Sequence, residues 1–270
     1  MDQKKVEQVD EIKEKSPDLQ ENQSYPVEVK PHEQSQNSIE EDIDSTIKIS
    51  VRIGFIRKVY GILSFQLLLT FGSVMLSQLK PVKYYINHNQ IFSTNLLIIS
   101  SVLFIIFFLI LACCKGISRR VPYNYLFLFG ITLSQAISCS IAASIYSFQI
   151  VSTALLLTIV ATLAITFYAC TTKNNFVICR IGLYVILAQM FTIGIVSVLF
   201  RIHALYTFYT FCMTILVGIY LVYDTLLIMG KLGVGYSIDD YIFASLEIYM
   251  DIIRLFLLIL KVIGNNSNRR

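Results

Sequence analysis

Charge is what this sequence has little of. Only 15% of its 270 residues are charged, whereas about 25% is usual in a soluble domain. Hydrophobic residues make up 55% of the chain, and the mean hydropathy is +0.65. This balance excludes an ordinary soluble core and indicates a membrane protein that crosses the bilayer several times.

The familiar catalytic motifs are also missing. The three histidines lie in the N-terminal tail or at the ends of apolar runs, so they predict no zinc site. There is no Ser-His-Asp order, Walker loop or HExxH motif. The glycine-rich segment 230–235 follows an apolar run and not a strand, so it predicts a turn. We therefore expect no enzymatic activity and no cofactor.

The first fifty residues lack an apolar segment, so we expect no cleavable signal peptide in them. Thirteen of the 18 acidic residues lie there. Such a segment buries too little apolar area to offset its ordering entropy, so residues 1–50 are predicted to be a disordered acidic tail. An inert solvated tail is the default interpretation, and a regulatory or partner-binding tail is the alternative.

Apolar runs of about 20 residues, the length of a membrane-spanning helix, dominate the rest of the chain. The predicted fold is an all-α polytopic bundle of seven transmembrane helices over residues 51–264, with a short basic C-terminal tail at 265–270. The third and fourth runs are separated by so few residues that they predict a tight antiparallel hairpin. The runs are 59–79, 91–114, 122–146, 150–170, 178–200, 205–230 and 241–263.

Orientation follows from the basic residues in the short flanks. The side that holds the N-terminus collects ten Lys and Arg, and the other side collects six. This favours a cytosolic N-terminus and a non-cytosolic C-terminus, although Arg269 and Arg270 argue against it. The alternative is a re-entrant last run, which would leave both termini cytosolic.

Acidic residues are the least ordinary feature of the membrane region. Only five occur after residue 50, and three of these, Asp224, Glu247 and Asp251, lie inside the last two apolar runs. An acid at that depth costs roughly 2.5–3.5 kcal/mol on insertion scales. From the rise per residue, Asp224 and Asp251 are expected at about 9 and 15 Å from one membrane face, near enough for contact between antiparallel helices.

Two buried carboxylates in contact tend to share one proton, which predicts a pH sensor. Without that proton they are oxygen ligands suited to a hard cation such as Ca²⁺, bound transiently. Glu247, Asp251 and Arg254 lie on one stripe of the last helix, so Arg254 is a candidate partner that keeps Asp251 ionised. The alternative is that these charges form internal salt bridges with a purely structural role.

The six cysteines have neither metal-ligand spacing nor a disulfide framework. We interpret them as small buried hydrophobic residues. For Cys113 and Cys114, at a membrane end beside Lys115, acylation by a fatty acid is the alternative.

Four segments together resemble the transmembrane Bax inhibitor motif family. YDTLLIMG at 223–230 and YIFASLEIYMDII at 241–253 are similar to its signature. FIRKVYGILSFQLL at 55–68 and LACCKGISRRVP at 111–122 resemble its Lifeguard branch in particular. The resemblance covers about residues 51–264 and leaves out the acidic tail.

The resemblance implies a seven-helix bundle with the last helix central, in the endoplasmic reticulum or Golgi. It implies a pH-sensitive calcium leak channel that suppresses cell death, with Asp224 and Asp251 as the pH-sensing latch. A basic residue after the second helix, Arg119 or Arg120, would support the closed state. Glu247 and Arg254 stand where such proteins are usually uncharged.

The expected partners are membrane lipid, calcium as the permeant ion, and Bcl-family or death-receptor proteins; nucleic acid is not expected. Two other functions compete with the channel. One is a non-conducting scaffold that regulates apoptosis through protein partners. The other, a proton-coupled transporter, would need inverted repeats or interrupted helices, of which the sequence gives no convincing case.

Overall fold

The computed structural model of the chain describes residues 31–172, 180–199, 203–231 and 236–267. In these ranges every regular element is helical, which confirms the all-α prediction. The chain divides into two units, residues 1–47 and 48–270. The helices are α1 (Pro31–Ser77), α2 (Lys80–His88), α3 (Gln90–Cys113), α4 (Lys115–Ser118), α5 (Tyr123–Ser144), α6 (Phe148–Thr171), α7 (Arg180–Leu199), α8 (His203–Ile228) and α9 (Tyr241–Ser267), with a 3₁₀ turn at Ile238–Asp240 before α9.

Each of the seven predicted apolar runs falls in a separate long helix: α1, α3, α5, α6, α7, α8 and α9. Five of these, α1, α3, α5, α6 and α8, are long and apolar enough to cross a membrane. In α7 the described apolar stretch, Val185–Ser197, is shorter than a span. In α9 the charges of Glu247, Asp251 and Arg254 lower the hydropathy. The chain is therefore a multi-pass membrane protein.

The N-terminal tail differs in part from its prediction. Residues 1–30 lie outside the described residues, but residues 31–50, predicted to be disordered, belong to helix α1. Starting a helix is costly, whereas extending an existing one fixes a single residue for each new hydrogen bond. The apolar part of α1 supplies that existing helix, so the polar residues before it continue the same backbone geometry.

The predicted hairpin between the third and fourth runs is confirmed. Helix α5 ends at Ser144 and α6 begins at Phe148, which leaves three residues for the turn. The sequence also places small residues at four-residue spacing on α5, at Gly130, Ser134, Ser138 and Ala142, and this stripe faces α3. A Cβ built on Gly130 would lie 2.7 Å from the ring of Phe107, and Ser138 Oγ lies 2.9 Å from Ser100 Oγ. The small side chains therefore let the two helices approach closely.

Helix α9 is the most deeply packed part of the core. Among its described side chains, only those of Arg254 and Lys261 are exposed. The hydroxyl of Tyr249 lies 2.8 Å from that of Thr70 on α1, and the rings of Phe71 and Phe256 pack edge to face at 5.6 Å. Residues of α9 thus contact α1 directly, although α1 lies far from it in the sequence.

Long basic side chains close the ends of two helices at one end of the bundle. Arg52 of α1 donates to the carbonyl of Leu227, at 2.7 Å, and to that of Tyr236, at 3.2 Å. Lys231 Nζ donates to three carbonyls at the end of α6, those of Ala169, Cys170 and Thr172. The last carbonyls of a helix have no partner within it, and cations there also favour the helix dipole.

The opposite end of the bundle holds the other termini of these helices. There Lys83 of α2 donates to the carbonyl of Tyr146, in the α5–α6 turn, and to Gln78 Oε1 at 3.0 Å. Gly264 near the end of α9 packs against the ring of Tyr146. Helix α9 therefore runs from the end that holds Arg52 to the end that holds Tyr146.

Candidate functional site

Asp224 and Asp251 come from neighbouring helices and meet inside the bundle. Asp224 lies one turn before the end of α8, and Asp251 lies about 15 Å along α9 from Tyr241. Their carboxyl groups lie close enough to interact directly. Asp251 is only 6% exposed, which makes it a buried acid.

A hydrogen bond between two carboxyl groups requires a proton on one of them, since an ionised carboxylate has no donor. Two acids this close are most stable with one shared proton and one negative charge between them. Loss of that proton would leave two like charges near each other, which is unfavourable in a buried site. Such an arrangement can respond to pH, because the contact between α8 and α9 would change with the number of protons that the two acids hold.

The pair borders a cavity of about 190 Å³. Four helices surround it, α3, α7, α8 and α9, so the acids lie at a junction and not inside a single helix pair. Its lining mixes apolar and aromatic side chains with every charged residue of this region. The lining residues are Phe108, Leu187, Tyr220, Tyr223, Asp224, Leu246, Glu247, Met250, Asp251 and Arg254.

Glu247 and Arg254 also line the cavity, so the structure brings four charged residues together. Arg254 Nη1 lies 3.6 Å from Asp251 Oδ1, with 59% of the Arg254 side chain exposed. Glu247 interacts electrostatically with Asp251 from one turn earlier in α9. Asp251 Oδ2 accepts no hydrogen bond from any group in the described parts of the chain. The site is a charge cluster in which one carboxylate oxygen keeps a free acceptor position.

A resident metal site does not form among the described residues. They contain no group of three or more His, Cys, Asp or Glu side chains that could hold a metal ion. The two aspartates offer oxygen atoms on one side only, which is fewer than the six to eight ligands that Ca²⁺ takes in its binding sites. The arrangement fits transient contact with a cation better than storage of one.

The two arginines predicted to support the closed state lie at the end of the bundle. Arg119 pairs with Asp240 in the turn before α9, at 3.0 Å between Nη2 and Oδ1, and it donates from two nitrogens to that carboxylate. Arg120 is exposed. Arg119 therefore contacts the turn that leads into α9, eleven residues before Asp251, and not the acid pair itself.

Sequence reasoning missed two tyrosines of the site. Tyr220 and Tyr223 line the cavity beside Asp224. The signal was present in the sequence, since Tyr220 lies four residues before Asp224 and thus on the same face of the helix. Arg52 was counted only as a charge that sets orientation, although it holds the end of α8, the helix that carries Asp224.

The prediction that the cysteines are buried is wrong for three of them. Cys139 is buried and Cys212 is half-buried, but Cys113, Cys114 and Cys170 are exposed. Cys179 lies outside the described residues. The exposed thiols lie at helix ends, where the outer surface of a membrane helix faces lipid or water and not protein.

The fold and the site define a class: a helical multi-pass membrane protein in which α8 and α9 each bring an aspartate to one internal cavity. Comparison with known proteins agrees. The family model described as "Inhibitor of apoptosis-promoting Bax1" matches residues 52–268. The chain belongs to this family, the Bax inhibitor-1 family, as the resemblance predicted.

The individual relatives include two Lifeguard proteins and one viral protein. The chain is 33% identical to human protein lifeguard 3 over 223 residues, which cover 80% of this chain and 70% of that protein. It is 32% identical to the mouse protein of the same name, with 80% and 71% covered. It is 28% identical to the Golgi anti-apoptotic protein of vaccinia virus strain Lister, with 86% and 96% covered.

Proposed function

We propose that the protein is a pH-sensitive calcium leak channel of intracellular membranes, gated by Asp224 and Asp251. The observation that carries the proposal is the close approach of these two carboxyl groups beside a cavity of about 190 Å³. The shared proton holds α8 against α9, and a change of protonation alters that contact. The exposed carboxylate oxygens then attract a hard cation to the cavity.

The proposal includes the arrangement in the membrane. All seven long helices span the bilayer with α9 at the centre, the N-terminus is cytosolic, and the C-terminus is not. The depth of burial along α9 supports its central position. Arg52, Arg119 and Lys231 meet at one end of the bundle, and the excess of basic residues there supports a cytosolic assignment for that end.

The cellular role follows from the relatives. The viral relative is named as a Golgi anti-apoptotic protein, and the family is named for inhibition of apoptosis. We propose an endoplasmic reticulum or Golgi location, where a calcium leak lowers the stored calcium and thereby modulates cell death. Calcium is the permeant ion in this proposal and not a bound cofactor.

The test is calcium flux in liposomes that contain the full-length protein and a calcium-sensitive dye. The unmodified protein should leak calcium with a rate that depends on pH near neutrality. Asp224→Asn and Asp251→Asn should each remove that dependence, because an amide keeps the shape of the carboxyl group and cannot ionise. Asp239→Asn, at an exposed acid outside the cavity, is the matched control and should behave like the unmodified protein.

A flux that varies with pH equally in all three variants would refute the gating role of the pair. A protein that conducts no calcium at any pH would refute the channel itself. The helical content of each variant, measured by circular dichroism, shows that its fold is intact.

A non-conducting scaffold that binds Bcl-family or death-receptor proteins is the second candidate. The acidic N-terminal unit, residues 1–47, favours it, since this unit precedes the first apolar run and holds 13 of the 18 acidic residues. Deletion of residues 1–47 distinguishes the two functions. A channel keeps its flux in liposomes without this unit, whereas a scaffold shows no flux and loses its protection of cells when the unit is removed.

A further inference from the structure

We propose that Cys113 and Cys114 form an S-acylation site that carries long fatty-acyl chains at the membrane surface. The proposal rests on the orientation given above, in which the end of α3 is cytosolic. It goes beyond the channel function, because neither thiol lines the acid cavity. Four observations carry it: the place of the thiols, the direction in which they point, the surface beneath them and the surrounding charge.

The two thiols mark the point where the chain leaves a membrane helix. Cys113 is the last residue of α3, and Cys114 ends the helix by donating its backbone N–H to the carbonyl of Ile110. The carbonyl of Cys114 accepts from the backbone N–H of Ser118, so α4 begins directly after Cys114. Both thiols are exposed. They therefore lie at the boundary between the hydrocarbon and the aqueous side.

Cys113 lies on the outer face of α3. Leu111, two residues earlier, is buried at 2% exposure, and a step of two residues turns a helix by about 200°. Leu109, Ile106 and Val102, which lie four, seven and eleven residues before Cys113, are exposed at 52, 45 and 49%. Residues at this spacing share one face, so Cys113 ends a stripe that faces lipid.

The direction of the helix also favours a lipid chain. Every Cα–Cβ bond in an α-helix tilts towards the N-terminus, which in α3 is the direction of the membrane interior. An acyl chain on Cys113 therefore starts along the stripe formed by Leu109, Ile106 and Val102. The second chain, on Cys114, makes attachment of this corner stable, since single acyl chains give only marginal membrane binding.

Positive charge follows the two thiols closely in the sequence. Lys115, Arg119 and Arg120 all lie within six residues of Cys114. Basic residues next to a membrane helix attract the anionic lipids of the cytosolic leaflet. This attraction keeps the α3–α5 connection at the surface, where an acyl donor in the membrane can reach it. Arg119 also pairs with Asp240, so the acylated corner lies beside the start of α9.

The reaction is transfer of an acyl group between sulfur atoms. The sulfur of the cysteine attacks the carbonyl carbon of a long-chain acyl thioester, and a new thioester bond forms. The carbon–sulfur bond of the donor breaks, and the proton of the cysteine thiol passes to the departing thiolate. No oxidant or reductant takes part.

Three of the other four cysteines provide matched controls. Cys139 is fully buried in α5, and Cys212 is half-buried in the interior of α8. Cys170 is exposed in the last turn of α6, where it is a single thiol without an adjacent cysteine. The pair at 113 and 114 is therefore distinguished by two adjacent thiols above a lipid-facing stripe.

The test is a mass-tag exchange on the full chain expressed in eukaryotic cells. Free thiols are blocked, thioesters are cleaved with hydroxylamine, and each released thiol receives a polyethylene glycol maleimide. The unmodified chain should gain two tags that depend on hydroxylamine. C113S and C114S should each keep one tag, and the double variant should keep none. C139S, C170S and C212S should keep both.

Absence of hydroxylamine-dependent tags on the unmodified chain would overturn the proposal, as would tags that persist in the double variant. Mass spectrometry of the acylated peptide from the unmodified chain gives the same answer without any substitution. The double variant should keep the calcium flux of the unmodified chain in liposomes. Loss of acylation and loss of the channel function are therefore separate results.

Discussion

At the scale of single residues, the site depends on how one basic side chain interacts with a pair of acids. Arg254 lies 3.6 Å from Asp251 and is 59% exposed, so solvent screens the interaction. Exposed ion pairs contribute about 1 kcal/mol or less. The contact between Asp224 and Asp251 is better shielded from solvent, since Asp251 is only 6% exposed.

Replacing Arg254 should move the pH response of the channel and not abolish it. A nearby cation favours the ionised form of a carboxyl group. In Arg254→Gln the pair should therefore keep its proton to a higher pH, and the midpoint of the calcium flux should rise. An interaction of about 1 kcal/mol corresponds to about 0.7 pH unit. Liposome flux measured across a pH series gives this midpoint.

Lys261→Gln is the matched control, since Lys261 is the other exposed basic residue of α9 and lies two turns later on the same face. It should leave the midpoint unchanged. A midpoint that falls in Arg254→Gln, or that moves equally in both variants, would contradict an electrostatic role for Arg254.

At the scale of elements, the way in which α8 ends sets how far Asp224 lies from that end of the bundle. The backbone N–H of Lys231 donates to the carbonyl of Leu226, and that of Gly230 donates to the carbonyl of Leu227. Gly230 has a φ of 72°, the left-handed conformation in which this type of helix end is built. Arg52 then covers the turn, within 3.1 Å of where a Cβ on Gly230 would lie.

Gly230→Ala should destabilise the protein by about 1–2 kcal/mol, because an L-residue in the left-handed region brings its Cβ too close to a carbonyl oxygen. The new methyl group also meets the guanidinium group of Arg52. Thermal unfolding in detergent, followed by circular dichroism, should show a lower midpoint than that of the unmodified protein.

Gly218→Ala tests the same substitution within the same helix. Gly218 lies in the interior of α8, and a Cβ added there would meet no atom within 4 Å, so alanine should be neutral or stabilise by about 0.5–1 kcal/mol. Equal unfolding midpoints for the two variants would show that the helix end does not need its glycine.

At the scale of the whole molecule, the length and continuity of α9 indicate on which side of the membrane the C-terminus lies. It is a continuous helix of 27 residues, about 40 Å long, whereas the hydrocarbon core is about 30 Å thick. A re-entrant segment would have to reverse direction, and α9 contains no break. Its two ends lie at opposite ends of the bundle.

A glycosylation reporter fused after Arg270 should therefore be modified in cells, and the same reporter fused before Met1 should not. The reporter after Arg270 reaches the lumen only if the N-terminus is cytosolic and an odd number of helices crosses the membrane. An unmodified C-terminal reporter, together with a modified N-terminal one, would invert the proposed orientation. Two unmodified reporters would favour the re-entrant alternative.

Much of the architecture could be predicted because its signals are local. Each apolar run became a helix, since backbone without water as a partner must satisfy its own hydrogen bonds. The small-residue stripe of α5 and the short α5–α6 turn were visible as spacing. The prediction that the cysteines are buried was wrong for the exposed ones, because it relied on residue type alone. Residue type does not show which face of a membrane helix meets lipid.

By itself, the sequence determined the helices, the family and the isolation of three acids within apolar runs. Only the tertiary structure decided how those acids are used. It brought Asp224 and Asp251 to one cavity, turned Arg254 towards the same cavity and directed Arg119 to Asp240 instead. Hydropathy and helix length depend on neighbours in the sequence. The partner of a charged side chain depends on how separate helices pack and rotate, which no local pattern specifies.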